Sequence, residues 1–95
     1  MANQDECLYI RRYSALKGLQ KGRVLSYSAL DTPQGPRLTL SCEREGEDRS
    51  AACLCPSLTF AQARAVVLFL YENGAETENW LDLLQDRQIL FAPLA

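Results

Sequence analysis

The sequence predicts an α+β domain: an antiparallel sheet of three to four strands followed by two helices packed on one face. Period-two alternation runs through the first half, as in Leu38-Thr39-Leu40-Ser41-Cys42-Glu43, with one apolar and one polar face. Helix signals are confined to the chain after Pro56: a capping sequence, an apolar stripe at 3.6-residue spacing, a glycine stop. Strands first and helices second favour α+β over an alternating parallel sheet.

Residues 1–6 are polar and acidic, and are expected to be disordered. Cys7 to Tyr13, rich in aromatic and β-branched residues, reads as the first strand. Ser14 to Gly22, interrupted by Gly18, reads as a turn or loose helical loop. Val24 to Leu30 is a second strand with Leu25, Tyr27 and Ala29 on one face. Asp31 to Pro36 is a turn, because proline fixes φ and glycine supplies positive φ. Leu38 to Glu43 is the clearest strand, and Ser50 to Cys55 returns after the charged turn at Glu45 to Asp48. A loop at Glu47-Asp48 would set Cys42 opposite Cys53, although the alternation leaves the register open.

Thr59-Phe60-Ala61-Gln62 fits a capping box opening a helix that runs to about Asn73. Gly74 suits the left-handed position after it. Thr77 is expected to cap a second helix, with Trp80, Leu81 and Leu84 on its apolar face and its end near Arg87. Residues 89–95 form an apolar tail. Leu38, Leu40, Phe60, Val67, Leu70, Trp80 and Leu84 are the expected core.

The second half, a capped Val/Leu helix, a glycine turn and then Trp80-Leu81-Asp82-Leu83-Leu84-Gln85-Asp86, follows strands that end in a charged hairpin. This pattern, from about Leu25 to Ile89, resembles a family of short bacterial proteins known only as a domain of unknown function. The resemblance implies a fold and carries no activity, cofactor or functional residue.

At 95 residues the chain is expected to be one domain, 1–95. Its net charge of -2 gives no general attraction to polyanions. The acidic start is unlike a secretory signal, and the longest bulky apolar run, Val66 to Tyr71, is far short of a membrane span. A cytoplasmic location without membrane contact is therefore expected, with the cysteines reduced. The chain has no histidine, which excludes Ser-His-Asp and Cys-His catalysis and imidazole zinc sites. No enzyme activity, cofactor, metal or small-molecule substrate is expected.

The first functional expectation is a small interaction or regulatory domain, with a homodimer or protein partner. In the first helix Phe60, Ala63, Val66, Val67, Leu70 and Tyr71 make the main apolar stripe. Ala61, Ala65 and Leu68 make a second row, and Phe69 lies outside both. A helix apolar nearly all round needs cover nearly all round. Ala61, Ala65, Leu68 and Phe69, with Ile89 and Phe91 of the tail, are thus the interaction candidates.

The alternative is nucleic-acid binding by Arg11, Arg12, Lys17, Lys21 and Arg23, interleaved with Tyr9 and Tyr13. Five acids, Glu72, Glu76, Glu78, Asp82 and Asp86, balance this run, and two faces offset within one molecule are the simpler reading. The second alternative is a metal or redox protein using Cys7, Cys42, Cys53 and Cys55. The one-residue spacer in Cys53-x-Cys55 departs from zinc-knuckle spacing, and small thiols commonly fill cores.

Overall fold

A computed structural model describes residues 6–13, 22–44 and 47–94. Strands β1 (Glu6–Tyr13), β2 (Arg23–Thr32), β3 (Gly35–Arg44) and β4 (Glu47–Leu54) are followed by helices α1 (Phe60–Glu72) and α2 (Trp80–Asp86) and by strand β5 (Ala92–Leu94). The strands form one antiparallel sheet in the order β1-β2-β3-β4-β5. The class is α+β as expected, but the sheet has five strands rather than three to four. The fifth comes from the tail: Ala92, Pro93 and Leu94 pair with Leu54, Cys53 and Ala52. Pro93 donates no backbone hydrogen bond, which an outermost strand tolerates.

β1 begins at Glu6, within the segment expected to be disordered; residues 1–5 of that segment lie outside the described residues, as does most of the expected loop, 14–21. Thr32 pairs with Gly35, leaving Pro33 and Gln34 as a two-residue turn. The Thr32 hydroxyl accepts from the Gln34 N–H at 3.2 Å and donates to the Gly35 carbonyl at 2.6 Å. Gly35 has φ +117°, and a Cβ there would stand 2.7 Å from Pro56 Cα. Both the dihedral and the space therefore demand glycine.

The β3–β4 register differs from the Glu47-Asp48 loop expectation. Arg44 pairs with Glu47, leaving residues 45–46 between the strands, so Cys42 opposes Arg49 and Cys53 opposes Leu38. The shift is an even number of residues, so every side chain keeps its face and alternation along the strands is equally satisfied.

α1 opens with the expected capping box. The Gln62 N–H donates to Thr59 Oγ1 at 3.1 Å, and Gln62 Oε1 accepts from the Thr59 N–H at 2.8 Å. It closes through paired bonds from Gly74 N–H to the Tyr71 carbonyl and from Ala75 N–H to the Leu70 carbonyl, with Gly74 at φ +60°. α2 starts at Trp80 rather than after Thr77; its N-cap is Asn79, whose Oδ1 accepts from the preceding Glu76 N–H at 2.9 Å and makes no bond to the helix. The same closing motif ends α2: Gln88 N–H reaches the Gln85 carbonyl and Ile89 N–H the Leu84 carbonyl. The left-handed residue there is Gln88, at φ 59°.

α1 packs on β1, β2 and β3. Leu25, Tyr27, Ala29, Leu38, Leu40, Cys42 and Cys53 of the sheet meet Ala63, Val67, Leu70, Trp80 and Leu84 of the helices in one buried cluster. Of the expected core, only Phe60 is less than fully buried. Trp80 is 1% exposed and its indole N–H has no acceptor among the described residues.

Candidate functional site

The basic run and the tyrosines divide between the two sheet faces by the pleat. Tyr9, Arg11 and Tyr13 point to the helix side, and Arg12 to the other. Arg11 donates to the Tyr71 carbonyl at 2.9 Å, placing a cation on the C-terminal turn of α1, which has no basic residue of its own there. Arg23 lies over the Tyr13 ring at 4.5 Å and pairs with Glu76. Tyr71 meets Tyr9 at 5.4 Å and the edge of Tyr27 at 6.0 Å. The Tyr27 hydroxyl donates to the Ala75 carbonyl at 2.8 Å inside the fold, and burial pushes its phenol up to about 12. Arg11 and Arg23 thus serve contacts within the chain, and Arg12 stands on the opposite face. Lys17 and Lys21 lie outside the described residues. An open depression of about 430 Å³ lies at this end of the sheet, bordered by Arg12, Tyr13, Val24 and Glu43.

All four cysteines are buried on the helix side. Cys53 in β4 and Cys55 just past the end of that strand bring their sulfurs to 3.9 Å. The hydrogen bond shared with Cys55, and then burial, push the Cys53 thiol well above its ordinary range; the same bond lowers Cys55. Cys7 shares a cross-strand row with Cys53 but stands three strands away, about 14 Å at ordinary strand spacing. The four thiols therefore do not converge on a point that one zinc ion, bonded near 2.3 Å, would reach. No cluster of three or more metal-ligating side chains occurs among the described residues.

The apolar rows of α1 resolve unevenly. The main stripe is buried or packed against the core. Ala61 and Ala65 are exposed, and Leu68 is 36% exposed. Phe69, Ile89 and Phe91 are half-buried against their own core, and Arg87 covers the Phe69 ring at 4.3 Å. Within the chain, only the main stripe of α1 and Phe69 are covered; Ala61, Ala65 and Leu68 are left outside, and two of these three are alanines with little area.

Exposed apolar surface concentrates instead on the sheet face away from the helices. Among the described residues, the large apolar side chains left exposed are Leu8, Ile10, Leu68, Leu90 and Leu94. Leu8 and Ile10 of β1 and Leu94 of β5 all point to this bare face. Val24, Leu30 and Leu54 add half-buried apolar area, while Ser26, Ser28, Thr39 and Ser41 keep the centre low. No family model matches the chain, and no curated protein or solved structure is significantly similar to it.

The bare face was beyond the reading of single elements. Its signal was present in Leu8 and Ile10, which share a face opposite Cys7 and Tyr9. It becomes a surface only once the register lays five strands side by side.

Proposed function

We propose that this chain is a small non-enzymatic interaction domain that associates with a second copy of itself. One observation carries the reading: a five-stranded sheet with helices on one side leaves its other side bare, with Leu8 at 56%, Ile10 at 41% and Leu94 at 40% exposure at its margins. Antiparallel sheets commonly wet one face, and that face is then polar. Here both margins bear leucine or isoleucine, flanking a centre of short hydroxyl side chains, and large apolar side chains exposed on one face of a small domain point to a contact surface. Two-fold pairs are the commonest closed assembly, which makes a second copy the natural partner. The absence of histidine and the burial of all four thiols support a role without chemistry.

The test is solution mass by light scattering and sedimentation over a wide concentration range. A species of twice the 10.7 kDa chain mass is expected. A single-chain species up to millimolar concentration refutes self-association.

A further inference from the structure

The bare face has a charge pattern that says how a second copy would sit on it. The register lays its side chains out as four cross-strand rows. The first holds Glu6, Leu30, Arg37, Leu54 and Ala92; the second Leu8, Ser28, Thr39, Ala52 and Leu94. The third holds Ile10, Ser26, Ser41 and Ser50, and the fourth Arg12, Val24, Glu43 and Asp48. The charged residues, Glu6, Arg12, Arg37, Glu43 and Asp48, are all exposed and occupy only the first and fourth rows. The two rows between them carry hydroxyls, an alanine and the leucine and isoleucine of the margins.

We infer that two copies pair face to face through this sheet surface, about a two-fold axis lying between the sheets and running across the strands. That rotation lays each strand antiparallel over its own counterpart, with the first row over the partner's fourth and the second over the third. Glu6 then meets the partner's Arg12, and Arg37 meets the partner's Glu43. Leu30 meets the partner's Val24, and Leu8 meets the partner's Ile10. Thr39 and Ser28 fall on the partner's Ser41 and Ser26, short hydroxyl side chains that permit sheets to approach at about 10 Å. Asp48 falls on the partner's Leu54, one strand from the partner's Arg37, and Leu94, on a strand that reaches only the first two rows, lies outside the row-on-row contacts. Each contact occurs twice, as an isologous interface requires.

The alternative two-fold, with its axis along β3, sets each row over itself. It brings Arg37 onto the partner's Arg37 and Glu43 onto the partner's Glu43, and like charges so placed select against it. The footprint also fits. Eighteen face positions, each about 4.8 Å by 6.8 Å, give roughly 600 Å² of flat area per copy before side-chain relief. This is on the scale of the ~800 Å² of accessible surface each partner gives to a standard interface. Sheets packed in this way keep their strands within about 30° of one another, which preserves the row-on-row contacts near the axis.

The inference rests on the self-association reading, and the experiment separates the two. Dimer dissociation constants are measured by sedimentation for the wild type, Arg37→Glu, Glu43→Arg, the Arg37→Glu/Glu43→Arg double variant and Leu68→Asp. Each reversal places like charges at two symmetric contacts and is expected to weaken the dimer about tenfold or more. The double variant restores opposite charges and is expected to return within a few-fold of wild type. Leu68→Asp, on the outer side of α1, is expected to leave the constant unchanged. A monomeric wild type overturns both readings. A wild-type dimer indifferent to both single reversals, or lost in Leu68→Asp alone, overturns this interface while self-association stands. Weakening in both singles without recovery in the double overturns the opposed pairing of Arg37 and Glu43. Circular dichroism of each variant shows that the fold is kept, as exposed positions predict.

Discussion

Removing one hydroxyl tests how the loop after α1 is tied to the sheet. Tyr27, on the central part of β2, is 1% exposed and donates its hydroxyl to the Ala75 carbonyl at 2.8 Å. Tyr27→Phe keeps the ring and its edge contact with Tyr71 but strands that carbonyl in the interior. The cost expected near neutral pH is about 1–3 kcal/mol, the desolvation penalty of an unpaired buried acceptor. The effect also has a pH signature. The phenol ionises near 10.0 when unfolded and at about 12 in the folded chain, because burial penalises the phenolate. Between these values the unfolded state holds fewer protons than the native state, so stability falls as pH rises, by about 1.4 kcal/mol per unit. The contribution is whole below pH 10 and is lost progressively above it. Phenylalanine does not titrate, so the gap between wild type and Tyr27→Phe should shrink by about 1.4 kcal/mol on going from pH 9 to pH 11. Urea unfolding followed by the fluorescence of Trp80, the only tryptophan, measures both quantities. A cost under about 0.5 kcal/mol near pH 8, or a gap constant through pH 11, would refute the buried hydrogen bond.

Gln88→Gly should stabilise the chain by about 0.5–1 kcal/mol, because a left-handed side chain is relieved at more than the entropic cost of glycine; a lower unfolding midpoint would contradict the closing motif of α2. Thr59→Ala should cost about 1 kcal/mol and Thr59→Ser much less, since serine keeps the capping oxygen; equal losses in denaturant would argue against the box. The buried thiols should alkylate only as fast as the fold opens, with Cys53 and Cys55, at 0% exposure, behind Cys7 at 9%. Mass spectrometry after timed iodoacetamide quenching reads this order, and Cys53 labelling at the rate of the unfolded chain would show that the core is open.

Local chemistry made some elements legible in the sequence. Thr59 and Gln62 satisfy each other's backbone groups within four residues, and Gly74 stands where a Cβ is penalised; neither needs the rest of the fold. Leu38, Leu40 and Cys42 alternate with polar residues because one side of β3 is buried. The expected start of α2 after Thr77 misses because the residue before its first turn is Asn79, a boundary that no capping side chain marks. Arg11, counted among the basic residues of the nucleic-acid alternative, is placed by the fold on the last turn of α1, a contact sixty residues away in sequence that no local pattern shows.

Fold class, the sided character of the strands and the ends of α1 are readable from the chain alone, because they depend on contacts between near neighbours. The β3–β4 register, the recruitment of Ala92–Leu94 as a fifth strand and the make-up of the bare face emerge only in the assembled fold. An even register shift conserves every side chain's face, and a three-residue strand has no period to detect. Both outcomes are set by which distant backbone edge is left to be paired, which no local pattern encodes.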